Sequence, residues 1–176
     1  MLVNVPCLDA LLDRHAETLG SSFSAYRNHA YRVVNFHCLL SQDPVDLDKL
    51  AIAAAYHDLG IWSAGTFDYL APSIAMANAY LDECGHPEWS QEIEAMIDHH
   101  HKLTPCDPHG HSSVETFRRA DWVDVSKGRI RFGLKRCVVA PVMNMFPGHG
   151  FHRLLVKLSF KRMLTHPLNP LPMLRW

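Results

Sequence analysis

The 176-residue sequence predicts an all-α, single-domain bundle of about seven or eight helices. Three observations predict it. Apolar residues recur at steps of three and four along most segments, and Gly- or Pro-marked turns separate those segments. At 48% hydrophobic and 20% charged residues, the chain buries one substantial core and leaves no comfortable room for a second. No internal repeat or low-complexity stretch interrupts the pattern.

The helices are expected at about 6–19, 21–40, 46–59, 72–84, 87–101, 112–125, 130–146 and 150–164. Turns fall at Gly20, Pro44, Gly65, Pro87, LTPCDPHG and FPGHG. In the first segment Asp9 and Asp13 interrupt the apolar run and no basic region precedes it, so it reads as a helix and not a signal peptide. A cytoplasmic location follows as an expectation, and five scattered Cys without a Cys-x-x-Cys pair are expected as reduced thiols. The second segment carries Ala25, Tyr26, His29, Val33, Phe36 and Leu40 on one stripe, which turns His29 inward.

The third, LDKLAIAAAYHDLGIW, sets Leu50, Ala53, Ala54 and His57 on one face, with Gly60 as its expected stop. Adjacent helical side chains diverge by about 100°, so His57 and Asp58 share a target only near a helix end. In the segment 87–101, Trp89, Ile93, Met96, Ile97 and His100 form the apolar stripe, making His100 the inward member of the run His99, His100, His101. Ser112 and Glu115 form a capping box that opens the helix bearing Asp121. The last helix is basic and amphipathic: Phe151, Leu154, Leu155, Leu158 and Arg162 share one side, and Arg153, Lys157 and Lys161 another.

Imidazole and carboxylate in combination bind divalent metals, so His29, the pair His57 and Asp58, and Asp121 read as one metal site assembled from three helices. In this order and setting, NHAYRV, AAYHDLG and RRADWVD resemble the HD-domain superfamily across roughly residues 20 to 125. That family is all-helical, binds one or two divalent metals and mostly hydrolyses phosphomonoesters, phosphodiesters or nucleotides. The resemblance implies an HD-type bundle with a core over 20–125, the basic helices of 126–176 packed on it, and His29, His57, Asp58 and Asp121 as ligands. It further implies a metal-dependent phosphohydrolase acting on a small phosphorylated or nucleotide-like molecule.

One divalent ion is expected: Mn, Fe, Co, Ni, Zn or Mg. Asp58 would orient the attacking water, and His99 or His100 would contact phosphate or move a proton.

Departures from the family pattern carry information too. Where several hydrolytic branches place a Glu or Lys three residues after the paired Asp, this chain has Ile61, so Asp68 is the stand-in acid. There is no Glu-Asp pair after HDLGIW and no GYP triplet, which disfavours guanosine tetraphosphate hydrolysis and cyclic dinucleotide cleavage. Between the His-Asp pair and the His run only His86 is available, in a turn, so one metal is favoured over two. A di-iron oxygenase of the HD type and a non-catalytic nucleotide-binding HD domain remain as alternatives, the latter supported by Ile61.

The net charge of −1 hides an asymmetry: residues 1–124 hold all 18 acidic residues against 7 Lys and Arg, a balance of −11, while residues 125–176 hold 10 Lys and Arg and no acid. The two parts are expected to attract. Lys127, Arg129, Arg131, Lys135 and Arg136 are expected to border the site and draw in a phosphorylated substrate, with Arg118 and Arg119 adding bidentate contacts. Arg32 and Trp62 are assigned to substrate binding beside them, and the loops 60–72 and 102–111 to the pocket rim. Tyr69 is expected only to pack its loop. Packing of the basic terminal helix on the acidic body is favoured over contact with a membrane surface or nucleic acid, and a homodimer is left open.

Overall fold

The computed structural model describes residues 1–107, 112–169 and 171–174. Among them, every regular element is helical. Eight helices have nine residues or more: α1 (Pro6–Arg14), α3 (Phe23–Leu40), α4 (Leu47–Tyr56), α6 (Leu70–Cys84), α7 (Ser90–His99), α8 (Ser113–Val125), α9 (Arg136–Met145) and α10 (Phe151–Thr165). Two four-residue helices, α2 (Ala16–Leu19) and α5 (Gly60–Ser63), join them.

The centre of the bundle is α3, which buries 11 of its 18 residues, among them His29, Arg32, Asn35 and His37 as well as apolar ones. It packs most extensively on α8. Beside it, α4 is buried without interruption from Leu50 to Tyr56. A helix that is apolar on all sides belongs inside, and Ala51, Ala53, Ala54 and Ala55 let α1, α3, α6 and α7 approach its backbone closely. One apolar core runs from Val5 to Phe151, and a second cluster of Ile61, Phe67, Tyr69, Leu70 and Met173 closes one end.

Local chemistry sets the ends. Asp46 accepts from the Lys49 amide at 3.2 Å, and Ser112 from the Glu115 amide at 3.2 Å. The capping box expected at α8 is only half formed, because Glu115 turns its carboxylate to Arg118, Arg119 and the Cys106 amide, and the Ser112 amide donates to Asp107 instead. At the end of α6, Gly85 takes the left-handed φ of 77° and the His86 amide reaches back to the Leu81 carbonyl at 2.9 Å.

Gly60 behaves differently from the expected stop. Helix α4 ends earlier, at Tyr56, and Gly60 opens α5, where a Cβ would lie 2.3 Å from the Tyr69 carbonyl oxygen and 2.9 Å from Ser73 Oγ. Glycine is needed there for close packing and not for a left-handed turn. The helix expected at 130–146 begins only at Arg136, since Phe132 and Gly133 have φ of 46° and 92° and break it. Similarly, the segment 6–19 breaks at His15, and 87–101 starts with the 3₁₀ turn Pro87–Trp89. Of the expected rim loop 102–111, residues 108–111 lie outside the described residues. No described helix is long and apolar enough to cross a membrane.

Candidate metal centre

Four helices deliver side chains to one buried point: His29 from the middle of α3, His57 and Asp58 from the end of α4, His100 and His101 from the end of α7, and Asp121 from α8. The end of α4 explains how two consecutive residues share a target. After Tyr56 the backbone tightens to three-residue spacing, with the Leu59 amide on the Tyr56 carbonyl at 3.1 Å and the Ile61 amide on the Asp58 carbonyl at 3.0 Å. His57 Nε2 and Asp58 Oδ2 consequently come within 3.5 Å.

His29 Nε2 lies 2.8 Å from His57 Nε2, 3.5 Å from Asp58 Oδ2 and 3.6 Å from Asp121 Oδ1. On the far side of the same two carboxylates, His100 Nε2 lies 3.4 Å from Asp58 Oδ1 and His101 Nδ1 3.1 Å from Asp121 Oδ2. Each carboxylate thus presents one oxygen to each pair of imidazoles. Ligating atoms of His29, His57 and Asp58 lie within 4.8 Å of one another, and so do those of Asp58, His100 and His101. These buried His and Asp groups could hold a metal ion.

Three features of the donors fit a cation. First, the ring orientation is set from behind. His57 Nδ1 donates to the Ala54 carbonyl at 2.9 Å and His100 Nδ1 to the Ile97 carbonyl at 2.6 Å; a carbonyl cannot donate, so each ring carries its hydrogen on Nδ1 and turns the Nε2 lone pair inward. His29 Nδ1 meets Asp124 Oδ2 at 2.5 Å in the same sense. Second, all four carboxylate oxygens of Asp58 and Asp121 are buried without a hydrogen bond, which is costly unless a positive charge sits among them. Third, the carboxylates draw positive charge to themselves, here as a proton on the His29 ring.

Burial pulls His29 down, but Asp124 and Asp58 outweigh it and raise the ring to about 9. Burial, only partly offset by Asp58, takes His57 the other way, to about 4. Burial would raise Asp58, yet His57, His100 and His29 hold it well below the usual carboxylate range. Mixed imidazole and carboxylate donors suit Mn, Fe, Co, Ni or Zn.

No family model, curated protein or solved structure matches the chain. The geometry therefore stands on its own.

The four residues expected as ligands are brought together, and His100 joins them. His101 supplies the neighbouring imidazole, while His99 lies beside Asp98 at 3.5 Å. Of the expected substrate-binding residues, Arg32 is engaged elsewhere: its buried guanidinium binds both oxygens of Asp124 and the Phe146 carbonyl, which makes it a support behind His29. Arg118 is likewise buried, on Glu115 and the Lys102 carbonyl, and Arg119 binds Glu115 at 2.8 Å. Trp62 packs on Tyr26 with ring centroids 4.9 Å apart, and Asp68 is held by Arg162 at 2.8 Å.

Tyr69, expected only to pack its loop, is buried with its hydroxyl 3.4 Å from His100 Nε2. The ring of Phe151 stacks on His29 at 4.2 Å, so the first turn of α10 closes the back of the cluster. Spacing alone could have flagged Asp124, which stands three residues after Asp121 on the same helical face. Tyr69 and Phe151 carry no such signal. His101, 13% exposed, is the member through which the cluster approaches solvent, since the others are at most 1% exposed.

Proposed function

We propose that the chain is a metal-dependent phosphohydrolase of the HD type, acting on a small phosphorylated or nucleotide-like molecule. The observation that carries this reading is the pair Asp58 and Asp121: four buried carboxylate oxygens that meet the imidazoles of His29, His57, His100 and His101 at 3.1–3.9 Å, without a hydrogen bond of good geometry. His29, His57, Asp58 and Asp121 would hold the divalent ion. Bound there, such an ion supplies Lewis-acid polarisation of a phosphoryl oxygen and a water acidified to a pKa of about 7.

The chain's own groups divide the remaining tasks. Asp124 fixes the His29 ring from behind. Asp58 has an oxygen on each side of the cluster and is the group that orients an incoming water. Tyr69, kept protonated by burial and by the charge of Asp58, remains a hydrogen-bond donor at neutral pH. Ile61 is packed in the second apolar cluster and Asp68 is tied to Arg162, so proton transfer to the leaving oxygen falls to the His100 and His101 side.

A second reading is favoured by the second donor set, Asp58, His100 and His101 with Asp121 Oδ2, which gives room for two ions and for di-iron oxygenase chemistry. The deciding experiment is phosphate release from p-nitrophenyl phosphate and nucleoside monophosphates after reconstitution with Mn, Co, Ni, Zn or Fe. Turnover that disappears in Asp58→Asn supports the hydrolase, and turnover that survives it contradicts the reading. Oxygen consumption with two irons per chain moves the second reading to the front. Tight nucleotide binding without turnover in the metal-loaded protein points to a non-catalytic domain.

A further inference from the structure

Helix α10 has two apolar faces. Its inner face buries Phe151 and packs Leu155 and Leu158 against the two core clusters. Its outer face should then be polar, as in most surface helices. Instead Val156, Phe160, Met163 and Leu164 stand out at 69%, 57%, 46% and 68% exposure, at helical steps of three and four. Arg153, Lys157 and Lys161, spaced by four, are exposed beside them. A groove of about 850 Å³ continues this face onto the segment after α8, where Ile130 is also exposed and Lys127 and Arg129 line the wall.

Among the described residues, the charges on this side find almost no acidic partner. Residues 125–176 hold ten Lys and Arg and no acidic residue. Among the described residues, Arg162 alone of these cations forms a salt bridge, with Asp68. The acidic half of the chain therefore leaves the basic face to an external anion.

We infer that the outer face of α10, with the Lys127–Ile130 segment, docks on an anionic bilayer surface, Val156, Phe160 and Leu164 entering the headgroup–acyl boundary while Arg153, Lys157 and Lys161 bind lipid phosphates and carboxylates. Exposed apolar side chains and cations alternating on one face match a surface that is anionic outside and apolar beneath. A symmetric pairing of two copies through this face would set like charges against each other, with no acid on either side. A nucleic-acid backbone would satisfy the cations but leave Val156, Met163 and Leu164 in water. Because no described helix can cross a membrane, the contact is peripheral.

The test is co-sedimentation of the full chain with phosphatidylcholine vesicles, without and with about 30% phosphatidylserine, at ionic strengths of about 0.1 and 0.5 M. The expected result is partition at least roughly tenfold stronger onto the anionic vesicles, weakened by salt, and lowered roughly tenfold by Phe160→Ser with Leu164→Ser. Those exposed substitutions should leave helicity and melting temperature unchanged, and Lys157→Gln with Lys161→Gln, which spares the apolar face, should weaken binding independently. Equal partition onto neutral vesicles, or partition indifferent to both pairs of substitutions, overturns the proposal. So does a dimer in light scattering that Phe160→Ser with Leu164→Ser dissociates while no vesicle is bound, or a duplex oligonucleotide bound more tightly than vesicles.

Discussion

Asp124 sits one helical turn beyond Asp121 and holds two neighbours at once. Its carboxylate accepts from His29 Nδ1 and from the Arg32 guanidinium, and both partners come from successive turns of α3. Asp124→Asn should leave the ligands in place but loosen their orientation, lowering metal affinity about 10–100-fold, as titration with a fluorescent chelator would read. Arg32→Ala removes a cation from a buried pair and should cost about 3–5 kcal/mol in urea denaturation. His37 makes a separate prediction. Burial takes its ring from 6.5 down to about 4, and its Nδ1 has no hydrogen-bond partner. Between those two values the unfolded chain holds the extra proton, so its share of stability is complete above 6.5 and is lost as pH falls toward 4. Lowering pH from about 7 to 5 should therefore cost wild type about 2 kcal/mol more than His37→Leu; equal slopes would contradict this. The sequence made His29, His57, Asp58 and Asp121 legible because each lies on a helix whose apolar spacing aims it inward. It hid Tyr69 because a loop residue's direction is set by packing far along the chain, here against the end of α7.

At the scale of elements, the junction between α4 and α6 decides whether His57 and Asp58 converge. Gly60 touches the Tyr69 carbonyl so closely that an added Cβ would fall 2.3 Å from it. Gly60→Ala should cost about 1–3 kcal/mol by overpacking and should weaken metal binding with it, because the backbone that gives way carries both Asp58 and Tyr69. Stability unchanged in thermal unfolding would show that α6 simply slides away. Apolar periodicity located the eight long helices well, since α3, α4, α7 and α8 are governed by which face meets the core. It failed where backbone conformation dominates: the helix before Arg136 is cut off by the positive φ of Phe132 and Gly133, and periodicity does not register such angles. The short α5 was also beyond reach, because four residues carry no readable period.

For the whole molecule, the separation of charge into an acidic body and a basic C-terminal part was legible, but its consequence was not. Attraction between the halves was the natural expectation, yet Arg162 to Asp68 is the salt bridge that joins them among the described residues. Apart from that bridge and His152 Nε2 on the Asp124 carbonyl at 3.1 Å, what docks α10 is apolar, with Phe151 on His29 and Leu155 and Leu158 in the core clusters. Since a cation would bind only where four helices meet, metal and fold should be linked. At a concentration about 100 times its Kd, a bound metal should raise unfolding free energy by about 2.7 kcal/mol, and a chelator should abolish the gain. The most direct measurement is elemental analysis of anaerobically purified protein, wild type beside His57→Ala, in metal atoms per chain. At least one Mn, Fe, Co, Ni or Zn per wild-type chain, lost in His57→Ala while helicity persists, is the result this account predicts. No metal in the wild type even after reconstitution, or an equal content in the variant, would contradict it.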